Sequence, residues 1–305
     1  MTILKVKYRV PATSANLGPG FDSLGLAIEL FNYLEMEEIE QGLRITITGE
    51  GAGELPTNKS NLVFRAAMAV FKKANKYPSG LRIIQHNEIP LSRGLGSSSA
   101  AIVGGVLAAN HLIGNPLSIV ELLEIATKLE GHPDNVAPAF FGGFVASCLA
   151  ENSVKYITAH PDNELQIVLA IPDFQLKTKA SRSCLPKEVP LKDVVFNISR
   201  VACLVGALMK SEFHHLSWAT EDRLHQQYRS SLIPGLQEVI QAAKRAGAIA
   251  SVLSGAGPTM LALSEKDPEN VGEAMRLAFK RFGVEAKIVC TKICNNGAKT
   301  IDSFS

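Results

Sequence analysis

The chain has 305 residues, 46% hydrophobic and 20% charged, with a formal net charge of +2. That length suffices for two domains with their own cores, the composition is that of a soluble globular protein, and the near-balanced charge gives no electrostatic reason to expect a nucleic-acid or acidic-membrane partner. Five cysteines, Cys148, Cys184, Cys203, Cys290 and Cys294, are odd in number and form no C-x-x-C pair, which favours reduced thiols in a cytoplasm over a disulfide framework or a zinc site.

Lys5, Lys7 and Arg9 precede no apolar stretch, so no signal peptide is expected. They alternate with Leu4, Val6, Tyr8 and Val10, which predicts a half-buried opening strand. Residues 11–20, small and rich in turn formers, read as a loop that places Asn16 and Asp22 to grip a polar ligand before the next strand. Leu43, Ile45 and Ile47 mark another strand, and Asn61 precedes an amphipathic helix carrying Leu62, Val63, Ala66, Ala67, Val70 and Phe71. A strand over 81–89 ends at Pro90.

There the most informative stretch begins, Pro90-Leu-Ser-Arg-Gly-Leu-Gly-Ser-Ser-Ser-Ala-Ala-Ile-Val-Gly-Gly105, a glycine-serine loop opening into a buried helix expected over 100–112. Glycine lets backbone approach a phosphate closely, and the helix start adds unpaired N–H groups and a positive dipole end. The plainer reading is a tight turn with a serine N-cap. No lysine follows the second glycine, as a Walker A loop requires, and the protein-kinase signatures are absent. Residues 94–120 carry no charge, but Asn110, His111, Asn115 and Pro116 interrupt them, so a buried helix is expected rather than a membrane span.

A helix is predicted over 118–129. The polar cluster Glu130-Gly-His-Pro-Asp-Asn135 after it reads as a capped turn or as part of a site. Residues 140–149 read as a glycine-kinked strand closing the first domain, and 151–164 as the connection. Beyond it come a strand at 165–171, helices at 194–210 and 236–246, strands at 249–253 and 260–263, a helix at 268–282 and a last strand at 284–293. This is the split βαβ order of a ferredoxin-like domain.

Three stretches coincide with one family's motifs. Pro11-Ala-Thr-Ser-Ala-Asn-Leu-Gly-Pro-Gly-Phe-Asp22, the loop from Pro90 to Ala101, and Ser254-Gly-Ala-Gly-Pro-Thr259 together resemble the GHMP small-molecule kinases. Within that family, His132-Pro-Asp-Asn-Val-Ala-Pro138, Thr178-Lys-Ala-Ser-Arg182 and Tyr228-Arg229 are similar to its homoserine-phosphorylating branch. The resemblance implies an α+β fold of two domains with the active site between them. The N-terminal domain (1–160) would be ribosomal protein S5 domain 2-like, and the C-terminal one (161–305) ferredoxin-like.

It also implies transfer of the ATP γ-phosphoryl group to the hydroxyl of L-homoserine, with Mg²⁺, on the route to threonine. ATP would meet Asn61, Pro90, Leu91, Ser92, Arg93, Gly94, Leu95, Gly96, Ser97, Ser98, Ser99 and Ala100; for Asn61 the alternatives are a base-edge contact and an N-cap. Ser98 and Glu130 would serve the metal. Arg182 and Arg229 suit the substrate carboxylate through a guanidinium fork, Asp22 suits the ammonium, and Asn16, His132, Asn135 and Thr178 orient the rest. Asp134 and Asn135 would lie nearest the accepting hydroxyl, Asp134 either as a general base or as one more positioning group. Gly255 and Gly257 would let their turn pack on the phosphate loop, and His214 and His215 read as surface residues. A homodimer is the default oligomer. The rivals are a kinase of the same family acting on another alcohol and a non-catalytic sensor on the same fold.

Overall fold

The structure, a computed structural model, describes residues 5–151, 153–161 and 165–302. Leu4 and residues 162–164 of the expected connection lie outside them.

The first sheet has seven strands. Strands β1 (Lys5–Asn16) and β2 (Gly20–Ile39) run antiparallel; β3 (Gly42–Gly49), helix α1 (Leu62–Ala74) and β4 (Gly80–Asn87) follow. β3 and β4 pair in parallel, so α1 is the crossover that such a pair needs. Helices α2 (Ser97–Leu112), α3 (Ile119–Glu130) and α4 (Pro133–Phe141) come next, then the hairpin β5 (Phe144–Ala150) and β6 (Ser153–Ala159). β2 is long enough to serve two partners: Leu24–Leu26 pairs with β5, and Asn32–Ile39 with β4.

The second sheet has the strand order β10-β7-β9-β8. β7 (Gln166–Pro172) leads through α5 (Thr178–Ser183), α6 (Leu191–Lys210), α7 (Leu216–Ala219), α8 (Gln226–Arg229) and α9 (Leu236–Arg245). β8 (Ala250–Leu253), β9 (Met260–Ser264), α10 (Pro268–Lys280) and β10 (Ala286–Lys292) complete the expected split βαβ pattern. Alternation along β7 divides two cores. Val168 and Ala170 pack with Val239, Met275 and Phe279 of α9 and α10, whereas Ile167, Leu169 and Ile171 join the core that also holds α2 and α6 residues.

Five expectations change. Residues 11–16 are not loop but the buried end of β1, bulged at Pro11/Ala12 and Ala15/Asn16. Phe140 and Phe141 end α4 instead of opening a strand, and the supposed connection contains β6. The strand at 284–293 is not the last, since β11 (Lys299–Thr300) returns to pair with β1 in the first sheet. The α2 helix starts three residues early, at Ser97, and its N-cap is Gly96, so no serine caps it.

Candidate active site

One cavity of about 150 Å³ lies where the β1–β2 turn, the loop before α2, the start of α4, α5, α8 and the turn at 254–259 converge. Its phosphate-loop wall is built by sending carbonyl groups outward. Ser92 O accepts from Leu176 N (2.9 Å), Arg93 O from Thr259 N (3.3 Å) and Leu95 O from Thr13 N (3.1 Å), while Gly94 O takes the Ser254 hydroxyl at 2.6 Å. Among the described residues no acceptor meets the N–H groups of residues 94–99, the last three of which are the unpaired donors of the α2 start. Such a concave run of amides attracts an anion.

Glycine is obligatory in this wall. Gly94 and Gly96 have φ of +74° and +69°; a Cβ on Gly94 would lie 2.2 Å from Ser254 O, and one on Gly96 2.0 Å from Thr13 Oγ1. The turn at 254–259 therefore packs on the loop, as expected. Opposite the amides, Glu130 at the end of α3 accepts from Ser98 Oγ (2.6 Å) and Ser99 Oγ (2.9 Å). Hydroxyl and carboxylate oxygens side by side are the donor chemistry that a hard divalent cation takes.

The other half of the cavity holds opposite charges. Asn16 and Asp22 both lie in the left-handed region, and the turn between them closes through Asp22 N donating to Asn16 Oδ1 at 3.0 Å. Asp22 receives a two-pronged pair from Arg182 at 3.0 and 2.5 Å. Arg229, only 2% exposed, donates to Gly255 O (3.0 Å), His225 Nδ1 (2.9 Å) and Ser181 O (3.3 Å). Burial lowers its pKa, yet it has no carboxylate partner among the described residues. An unpaired buried cation of this kind is costly until an anion reaches it. At the α4 start, His132 Nδ1 forms a very short bond to the buried Asp134, and Asn135 Oδ1 accepts from Thr13 Oγ1 at 2.8 Å. Burial alone would lower the His132 pKa, but the Asp134 bond and the charges of Asp134, Glu130 and Asp22 outweigh it and raise the pKa.

Comparison with known proteins agrees with this geometry. The GHMP kinases N terminal domain matches residues 61–143 and the GHMP kinases C terminal domain residues 204–281. A homoserine kinase of Moorella thermoacetica is 48% identical over 293 residues, covering 96% of this chain and 99% of its own. One from Carboxydothermus hydrogenoformans is 47% identical, covering 95% and 94%. The chain belongs to the GHMP kinase family. A solved homoserine kinase from Cytophaga hutchinsonii superposes on this GHMP kinase with a TM-score of 0.90 at 31% identity, over 97% of both chains. A mevalonate kinase structure matches at 0.69 with 15% identity, which is likeness of fold alone.

Of the residues expected at a GHMP kinase site, the cavity lining gathers Asn16, Asp22, Pro90, Ser92 to Ser98, Glu130, His132, Asp134, Asn135, Thr178, Arg182 and Arg229. Leu91, Ser99 and Ala100 are not part of that lining. Asn61 is also outside it; its Oδ1 caps α1 by accepting from Val63 N (2.9 Å) and Phe64 N (3.3 Å), which is the N-cap alternative. Arg93 spends its guanidinium on Leu91 O, Pro172 O and Asp173 O, tying the loop to the second sheet. His214 is exposed and His215 half-exposed, as expected. Sequence reasoning missed Phe21, Thr13, Asp222 and His225. The signal for the last two was the spacing Asp222, His225, Arg229, steps of three and four, with an aspartate shortly before the turn of helix.

Proposed function

We propose that this chain is a homoserine kinase, transferring the ATP γ-phosphoryl group to the side-chain hydroxyl of L-homoserine to give O-phospho-L-homoserine on the route to threonine. One observation carries the reading: a single cavity joins a run of unpaired amides to an acid and two arginines, the charges that complement the ammonium and carboxylate of an amino acid. The near-full-length homoserine kinase relatives support it.

The ATP phosphates lie on the amides of residues 94–99. Ser98 and Glu130 would hold Mg²⁺, which when bound would offset phosphate charge. Arg229 and Arg182 take the substrate carboxylate, Asp22 the ammonium, and Asn16, His132, Asn135 and Thr178 orient the chain so that its hydroxyl faces the γ-phosphorus. The hydroxyl oxygen bonds to phosphorus as the bond to the ADP oxygen breaks, and the hydroxyl proton is released. Asp134 already binds His132, which supports positioning over general-base catalysis.

The test is ATP consumption with homoserine against mevalonate and galactose, which lack the ammonium and carboxylate pair. Homoserine is expected to be used with kcat/KM at least about a hundredfold higher, because mevalonate, which has a carboxylate, offers Asp22 no ammonium, and galactose offers the site no charge at all. Equal use of mevalonate would favour a different alcohol, and no turnover with any would favour the sensor. We further assign residues 1–160 and 161–305 to the two domains. We also assign the enzyme to the cytoplasm and to a homodimer. No described helix is long and apolar enough to cross a membrane.

A further inference from the structure

Beneath Arg229 the described residues form a buried polar chain that the phosphoryl transfer itself does not use. His225 is fully buried, and its Nε2 lies 2.7 Å from Gly18 O. A carbonyl can only accept, so Nε2 carries a hydrogen and Nδ1 is free to accept. Arg229 Nη1 donates to that Nδ1 at 2.9 Å. A second proton on the ring would face a guanidinium across a hydrogen-bond distance in a dry interior, so the geometry fixes one neutral tautomer. Burial acts the same way, lowering the pKa, with Arg229 adding to it against the opposing pull of Asp222 and Asp22.

Asp222 does not release the ring from that state. Its carboxylate accepts from Leu224 N (2.8 Å), His225 N (3.0 Å), Gln226 N (2.7 Å) and Asn197 Nδ2 (2.8 Å), and stays 3.7 Å from Nε2. Its charge serves the turn that launches α8 and thereby sets where His225 stands. Phe21 covers the assembly, 5.4 Å from the His225 ring and within 5.4 Å of both guanidinium carbons. With Nε and Nη1 committed to Ser181, Gly255 and His225, only Arg229 Nη2 lacks a partner among the described residues.

We propose that His225 is a positioning residue of this kinase: tethered through Nε2 to Gly18, it holds the Arg229 guanidinium through Nδ1 so that Nη2 meets the substrate carboxylate. The proposal rests on the homoserine reading for its kinetic consequence, but the state of the ring is separable from it.

Two substitutions divide the two ends of the imidazole. His225→Gln keeps a donor within reach of Gly18 O but offers Arg229 no acceptor at the Nδ1 position, whereas His225→Asn keeps that acceptor and loses the tether. With homoserine and ATP varied separately on the full chain, His225→Gln is expected to raise the homoserine KM on the order of tenfold or more, leaving the ATP KM within about twofold. His225→Asn should lower Tm yet stay nearer the parent in homoserine KM. Added to Arg229→Ala, His225→Gln should cause no further rise, because the two act as a unit. Equal rises in both KM values, or full additivity with Arg229→Ala, would reduce His225 to packing and overturn the proposal. Imidazole ¹⁵N shifts of the parent should report the Nε2–H tautomer from about pH 8 to below pH 6.5, whatever the substrate is. A ring titrating as an ordinary histidine would overturn it too, whereas failure to use homoserine with the tautomer intact would count against the substrate alone.

Discussion

Asp134 and His132 decide how the acceptor hydroxyl is handled. A carboxylate whose oxygen is already engaged by an imidazole is not free to meet the acceptor hydroxyl, and Asp134 is 2% exposed with that bond made. A general base contributes about 10²–10⁴-fold in rate. Asp134→Asn is therefore expected to lower kcat by less than about 10²-fold. A loss beyond 10⁴-fold with homoserine binding intact would restore the base. The pair also has a pH signature. The folded-state pKa of His132 is raised, so the stability it contributes is complete below the unfolded value of about 6.5 and disappears as pH rises through the folded value. The difference in Tm between the parent and His132→Gln should shrink over that alkaline step, measured by thermal melts across pH 5.5–9. A difference that grows with pH would contradict the sign.

At the scale of elements, the loop and α2 were legible because their constraints are local: two glycines one residue apart are needed wherever backbone turns left-handed against a neighbour. Gly96→Ala tests this directly, since its Cβ would fall 2.0 Å from Thr13 Oγ1, the hydroxyl that also holds Asn135. The left-handed backbone alone costs about 1–2 kcal/mol for alanine; a lower Tm and a raised ATP KM are expected, and a silent variant would mean the loop relaxes freely. Glu130→Gln should leave the fold intact but raise the Mg²⁺ needed for half-maximal rate at least about tenfold, read from a metal titration of initial velocity. What stayed hidden had tertiary causes. The end of β1 is buried throughout residues 10–16, so no polar alternation marks it as a strand. The α4 helix contains Pro133 and Pro138; the first sits harmlessly at the start, and Gly25 gives the second turn room, since a Cβ there would strike Asp134 O and Pro138. β11 is too short to show a period. Burial statistics alone put charged groups at the surface, so only the family motif singles out Arg229, and nothing local marks His225, which it contacts, or Asp222 behind that ring as buried.

Across the whole molecule, the second sheet is covered by α9 and α10 on one face and by the shared core on the other, so α6 meets that core with one side only. Its opposite side carries Leu191, Val195, Ile198, Ala202 and Met209, at steps of four, three, four and seven. Leu191 is 76% exposed, Val195 57%, Ile198 63% and Met209 54%. An apolar seam with this spacing, about 30 Å long on a 20-residue helix, has the pattern by which helices pack on one another. A second copy of the chain presents the same seam, and a two-fold axis would bring the two together, burying side chains that water now surrounds. Sedimentation of the parent at micromolar concentration is expected to give a dimer, and Ile198→Glu a monomer. Because Ile198 is on the surface of the protomer, that change should alter protomer stability by no more than about 0.5 kcal/mol. Far-ultraviolet dichroism should stay unchanged, so dissociation will not be confused with unfolding. A parent that sediments as a monomer, or an Ile198→Glu dimer as tight as the parent's, would remove α6 from the interface and leave its seam without a partner of this kind.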